Sequence, residues 1–320
     1  MKDYVQIIAV FVAVLIIIPC VSYAKQKTAA SARLSPDEPA VRVLFEETGE
    51  VTEYSMHDYI VGAVFAQMPA DFEEEALKAQ AVLAATYAQR RIASEKESSD
   101  SSLKGADISD DTSRFQAFFT EEQAKKLYGG DYEQAYEKIS AAADYAQNLR
   151  LTYDGEPILV AFHGISYGST ESAIKMWNED IPYLQAVSSE WDTELEQCET
   201  SVSFTKAEMK AALSGEFGDC DLSGEPQDWI SVAERTSGGT ALKVSVGGKV
   251  CDSERFCNLL GIASQHFELS YEDGKFTFVT LGCGHLVGMS QYGADRMAKD
   301  GASCEEILLH YFPNTVLISS

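Results

Sequence analysis

Basic residues are scarce in this chain. Lysine and arginine together number 25 against 50 aspartates and glutamates, a formal net charge of −25 over 320 residues. That balance excludes nucleic acid or anionic lipid headgroups as partners held by a general basic face. It leaves a neutral polymer such as a glycan, or a basic partner. Internal repeats are lacking too, so no repeat array is built. Compact metal-ligand spacing is also missing: Cys251 and Cys257 do not have zinc-finger separation, and His163, His266 and His285 are scattered. No metal and no cofactor is expected. Finally, regular βαβ alternation is absent. Strands and helices are mixed, which points to an α+β fold.

What is present is enough for a core, with 45% hydrophobic residues. The length fits one large or two medium domains. Val5 to Val21 is almost wholly apolar, interrupted only by Gln6 and followed by Lys25 and Lys27. This run is at the short end for a membrane-spanning helix. The expectation is an N-terminal anchor over 1–24 that holds the rest of the chain outside the cytoplasm, at the cell membrane. A cleaved signal peptide ending near Ser22-Tyr23-Ala24 is the other reading. Residues 25–40 read as a linker and 41–320 as the exported domain, with a smaller lobe at about 198–280. Six cysteines lie in that domain, and Cys198 with Cys220, bracketing one helical segment, is the favoured disulfide.

Alternation predicts strands at Val41–Phe45 and Val51–Tyr54. Hairpins are expected at Leu149–Tyr153 with Pro157–Phe162, and at Phe267–Tyr271 with Lys275–Leu281. Trp229–Ala233 and Ala241–Val246 read as strands around a Ser237-Gly238-Gly239 turn. Helices are expected at Thr120–Ala146, Phe204–Leu213, Ser253–Leu260 and Glu305–Tyr311. A glycine-rich turn at Gly282 runs into a further helix.

Ser55 to Arg91 organises the chain. Ser55 caps a helix, with Asp58 as an acidic variant of the capping box. Met68-Pro69 makes a bend, and Asp71 caps the next helix with Glu74 as its reciprocal partner. Leu77, Ala81, Ala84 and Ala88 form a small-residue face at helical spacing. One helix end beside the start of another is a natural place for a site, and the residue at the bend is Gln67.

Three segments, in order, are specific. They are Tyr59-Ile-Val-Gly62 through Met68-Pro69 and Glu75 to Val82; Phe162-His163 through Thr170-Glu171, Trp177, Pro182-Tyr-Leu184 and Trp191-Asp192; and Gly284-His285 through Val287-Gly-Met-Ser-Gln-Tyr-Gly-Ala294. Together they resemble the stage II sporulation protein D and amidase-enhancer family, over roughly Val41 to Leu317. The resemblance implies a membrane-anchored lytic transglycosylase that cuts cell-wall peptidoglycan glycan strands during forespore engulfment. It implies two lobes around a glycan-binding groove of mixed helices and antiparallel hairpins. It also implies strands stripped of stem peptides as substrate, with a sporulation amidase and a membrane scaffold protein as partners.

Such an enzyme needs one acid, which protonates the leaving glycosidic oxygen and then takes the proton of the sugar's C6 hydroxyl. In the family pattern that acid precedes Met-Pro; here the position is Gln67, which has no titratable proton. Ala85 stands where arginine is usual, and so does Ala263. The resemblance implies Lys78, His163, Tyr183, Trp191, His285, Ser290, Gln291 and Tyr292 as groove residues. The expectation is a pseudoenzyme that binds or scaffolds glycan strands. The alternative is an active enzyme with a relocated acid: Glu73, Glu171 or Asp192.

Overall fold

A computed structural model describes residues 40–218 and 220–319. The expected anchor and nearly all of the expected linker lie outside these residues. Among the described residues, no helix is long and apolar enough to cross a membrane. The fold is α+β, with helices and mostly antiparallel sheets.

The chain starts with strands β1 (Ala40–Phe45) and β2 (Glu50–Ser55), antiparallel with Val41 opposite Tyr54 and Val43 opposite Thr52. Helix α1 (Met56–Gln67) follows, capped by the Ser55 hydroxyl, which accepts from the Asp58 N–H at 3.0 Å. The expected capping box is not completed, because the Asp58 carboxylate pairs with the His57 ring at 3.2 Å instead. Helix α2 (Glu74–Glu97) starts with Glu73, not Asp71, at the cap position. The chain first turns through Phe72 N–H to Pro69 O, and the Glu73 N–H then donates to Asp295 Oδ1 at 2.8 Å. A tertiary partner therefore satisfies the helix end that a local side chain was expected to cap.

Helix α2 is the centre of the larger core. Every residue from Ala79 to Thr86 is buried, on all faces of the helix. A helix closed in on every side reads as a core helix, and alanines let its neighbours approach closely. It packs against α1, and β4 (Leu149–Tyr153) is tied to it by Thr86, whose hydroxyl donates to Val82 O and accepts from Leu151 N–H. Between them lie β3 (Ile108–Ser109), parallel to β1, and helices α3 (Glu121–Tyr128) and α4 (Tyr132–Ala146). The single helix expected over Thr120–Ala146 is thus broken at Gly129, whose φ of +55° only glycine adopts cheaply.

The hairpin after β4 is shorter than expected. β5 (Glu156–Pro157) pairs with β4, whereas β6 (Phe162–His163) leaves for a different partner. A short helix α5 (Ala173–Met176) follows. Residues from Glu199 build a second core. Strand β7 (Glu199–Thr205) precedes helix α6 (Lys206–Phe217), so Phe204 belongs to a strand and not to the expected helix start. Thr205 and Glu208 close a capping box there. Strands β8 (Ile230–Arg235), β9 (Ala241–Val246) and β10 (Lys249–Asp252) form one sheet, followed by helix α7 (Ser253–Leu260). Strands β11 (Phe267–Glu272) and β12 (Lys275–Leu281) form the other with β7. Leu213, Trp229, Val244, Phe256, Phe267, Phe276 and Phe278 fill the space between.

The chain then returns to the first core through β13 (Met289–Ser290), which pairs parallel with β6, placing Ser290 beside His163. Helices α8 (Gln291–Lys299) and α9 (Cys304–Tyr311) lie against α2, and β14 (Val316–Ser319) completes the sheet on β4. The expected Cys198–Cys220 disulfide is not formed. Cys198 donates to Ser166 O at 3.4 Å, and Cys220 is directed to Leu213 O at 3.9 Å.

Candidate functional site

Helix α1 ends at the bend. Met68 is fully buried and extended, with φ −137° and ψ 136°, and its N–H still bonds back to Val64 O. Gln67 is therefore the last helical residue, and its side chain is 6% exposed. Both polar atoms of its amide have partners. Nε2 donates to Ala117 O at 2.7 Å, and Oε1 accepts from Gln80 Nε2 at 2.8 Å and from Gln116 Nε2 at 3.0 Å. Gln291 joins them, its Nε2 donating to Gln67 O at 2.8 Å and to Gln80 Oε1 at 3.2 Å. Four neutral amides from α1, α2, α8 and the segment before α3 thus converge. No carboxylate is among the hydrogen-bond partners of Gln67.

The glycine-rich turn sits next to this cluster. Ser290 caps α8, accepting from the Gly293 N–H at 3.2 Å, and donates to Gly164 O at 3.3 Å. The Tyr292 N–H also donates to Gly164 O, and its ring meets Phe72 edge-on at 4.9 Å. Gly288 has φ +75°, and a Cβ there would lie 2.1 Å from Ala161 O. Only glycine lets the β6 and β13 strands come this close.

Two histidines line the same region, with ring centroids 6.0 Å apart. His163 Nδ1 donates to Val287 O at 3.2 Å, so Nε2 carries the lone pair, buried and without a partner. His285 has the opposite tautomer, because its Nδ1 accepts from the Val287 N–H at 3.1 Å. Burial pushes His163 down to about 3, with the neighbouring His285 adding to the effect, and pushes His285 down to about 4. Both rings are neutral at ordinary pH. The Trp177 ring, 36% exposed, stands edge-on to His285 at 5.5 Å. An exposed indole beside two neutral imidazoles offers the kind of face on which the apolar side of a sugar ring stacks.

Other expected groove residues lie elsewhere. Lys78 pairs with Glu75 at 2.6 Å and reaches over the Tyr145 ring. The Tyr183 hydroxyl accepts from the Leu159 N–H at 2.8 Å, in the core. Trp191 stands edge-on to His310 at 5.7 Å. Ala85 is fully buried, where an arginine would need a partner for its charge.

Of the three alternative acids, two have carboxylates engaged by other groups, and Glu73 is tied only through its backbone. The Glu73 N–H is held by Asp295, and its side chain is exposed. Glu171 Oε1 accepts from Tyr167, Thr236 and Thr240 hydroxyls at 2.8, 2.8 and 2.7 Å. Asp192, fully buried, accepts through Oδ2 from the Ser166 N–H at 2.8 Å and the Ser189 hydroxyl at 3.0 Å, whereas Oδ1 is buried without a partner, and burial raises its pKa. Among the described residues, no group of three or more His, Cys, Asp or Glu is arranged to hold a metal ion. Gln80, Gln116 and Trp177 join the site without having been singled out as site residues from the sequence. For Trp177 and Gln80 the signal is their place within matched segments; Gln116 has none.

An α+β domain whose helix–Met-Pro–helix junction faces a glycine-rich turn is the class that this geometry defines. A family profile described as "Stage II sporulation protein" matches residues 45–153. Stage II sporulation protein D of Bacillus amyloliquefaciens is 33% identical over 288 residues, covering 90% of this chain and 81% of that protein. Its counterpart in Bacillus subtilis (strain 168) is 31% identical over 336 residues, covering 98% and 95%. The amidase enhancer of Bacillus subtilis is 27% identical over 307 residues, covering 81% of this chain and 40% of that protein. The chain belongs to the stage II sporulation protein D family.

Proposed function

We propose that this chain is a sporulation protein that holds peptidoglycan glycan strands during engulfment without cutting them. The observation that carries the reading is at Gln67. The side chain at the position of the family's acid is an amide, donating to Ala117 O and accepting only from other amides. General acid catalysis is worth roughly 10²–10⁴-fold, and in a transglycosylase one group makes both proton transfers. Glu171 is engaged in holding loops, and Asp192 holds the Ser166 N–H through Oδ2 while its buried Oδ1 is without a partner. The exposed Trp177 ring beside the neutral His163 and His285 rings supports a glycan as the ligand. An N-terminal membrane anchor, an extracytoplasmic location, and an amidase and a membrane scaffold as partners belong to the same proposal.

The test uses denuded glycan strands. The purified protein should sediment with them and release no 1,6-anhydro sugar, and Trp177→Ala should weaken binding severalfold while the protein stays folded. Clear anhydro-sugar release by the unmodified chain would overturn the non-cleaving reading. Absence of any strand binding would overturn the glycan reading itself.

A further inference from the structure

Residues 110–119, between β3 and α3, run over the end of α1 without regular structure and are held at several points. The Phe119 N–H donates to Gly62 O at 3.0 Å, and the Gln116 N–H donates to the Tyr87 hydroxyl at 3.2 Å. Phe118 stacks on Tyr59 at 5.5 Å and meets Tyr54 edge-on at 4.9 Å. Gly62 makes this approach possible, since a Cβ there would lie 2.3 Å from the Phe118 ring and 2.5 Å from Phe119 O. The last two bonds of the segment are to Gln67 itself: Gln116 donates to its oxygen, and Ala117 O accepts from its nitrogen.

From this we infer that residues 110–119 are a lid over position 67 and that the glutamine amide is the latch that keeps it shut. The direction of the Ala117 bond is what matters. An amide offers a proton to Ala117 O, whereas an ionised carboxylate in its place would set two bare acceptors against each other at 2.7 Å. With glutamate at 67 the lid closes only over the protonated acid and lifts as the acid ionises. With glutamine it stays closed at every pH, leaving residue 67 only 6% exposed.

No other group facing residue 67 supplies a competing charge. From α1 and α2 the groups that meet the segment are the Tyr59 and Tyr87 phenols, both raised above the ordinary 10 by burial, and the Arg91 guanidinium, which lies over Phe115 at 5.2 Å and is paired with Glu95. Helix α8 presents Gln291, while its Asp295 is bound to the Glu73 N–H and to Lys299. On the lid, Asp110 accepts from the Glu46 N–H, Asp111 holds Ser113, and Arg114 pairs with Asp100. The inference rests on these contacts and not on the glycan reading, which stands or falls by strand binding.

Hydrogen exchange of the full chain, followed by mass spectrometry, tests it. Peptides covering 111–119 should be protected in the unmodified protein. At about pH 7.5, Gln67→Glu should speed their exchange on the order of tenfold relative to the unmodified chain, and the difference should close at about pH 4. Gln116→Ala, which removes one donor to Gln67 and the partner of the Tyr59 hydroxyl at 3.3 Å, should speed the same peptides severalfold and leave the 79–88 peptides unchanged. If Gln67→Glu does not fold, the Gln116→Ala result decides alone. A lid that exchanges as an open chain in the unmodified protein, or one indifferent to these substitutions, would overturn the latch.

Discussion

Glu171 is the residue on which a catalytic and a structural account diverge most sharply. It is 1% exposed, its N–H donates to Leu286 O at 2.7 Å, and its Oε1 takes three hydroxyl hydrogen bonds. Two of these come from Thr236 and Thr240, which bracket the turn between β8 and β9. The carboxylate therefore clamps the loop after β6 to the sheet of the second core. A hydrogen bond to a charged group is worth roughly 1.5–3 kcal/mol and a neutral one about 1 kcal/mol. Glu171→Gln keeps an oxygen for the three hydroxyls but loses the charge at each, and it also relieves the cost of burying a carboxylate. The expected net loss is about 1–2 kcal/mol. Glu171→Ala strands the three hydroxyls and leaves a cavity, for about 3–5 kcal/mol. Urea denaturation at constant m-value reads both numbers. A cycle with Thr240→Val should show coupling of at least about 0.5 kcal/mol. The reasoning is refuted if Glu171→Gln unfolds at the same urea concentration as the unmodified chain while abolishing a measurable release of anhydro sugar. That pattern belongs to a proton donor, not to a clamp.

Two further outcomes follow from the turn that faces the site. His163 and His285 have folded pKa values depressed to about 3 and about 4, below the ordinary 6.5. The unfolded chain then binds protons that the fold refuses, so the stability that these rings contribute is complete above about pH 6.5 and is lost as pH falls towards those values. The expected slope reaches about 1.4 kcal/mol per pH unit for each ring, and His163→Asn, which keeps a donor for Val287 O, should flatten it in thermal melts taken from pH 7 to 4. Gly288→Ala places a Cβ 2.1 Å from Ala161 O at a φ of +75°, at an expected cost above roughly 3 kcal/mol; a melting temperature within a few degrees of the unmodified chain would show that β6 and β13 are free to separate.

Much of the fold is legible as local pattern. Val41–Phe45 alternates and is a strand; Ser55 stands before an apolar run and caps a helix. The failures have tertiary causes. Asp71 looks like a cap, but Asp295, distant in sequence, satisfies the Glu73 N–H and the helix starts there. Glu199–Thr205 has Val202 and Phe204 in alternation, but what makes it a strand is its long-range pairing with β12. Thr120–Ala146 has helix formers throughout, yet Gly129 and Gly130 interrupt it. The site is legible in the same proportion. Gln67, Ser290 and Gln291 lie in motifs with a defined spacing, and the structure brings them together. Gln80 lies in the matched Glu75–Val82 segment, where it is a lone polar residue among alanines; Gln116, one of several polar residues in a loop, has no such signal.

The other glutamines change what Gln67 means. Taken alone, Gln67 is the position at which the family resemblance leads one to expect an acid. Set among Gln80, Gln116 and Gln291, it is one member of a buried network in which each of its own polar atoms has a partner. Such a network favours one arrangement of the segments that carry it, because breaking any bond strands a buried dipole. An acid at a working site must instead exchange its proton with a substrate, which requires that at least one oxygen be left for that substrate. Here no atom of residue 67 is left over. Placing glutamate there would therefore do more than supply a proton. It would withdraw the donor from Ala117 O, set the carboxylate against the carbonyl that now covers it, and turn a closed structural junction into one whose opening depends on protonation.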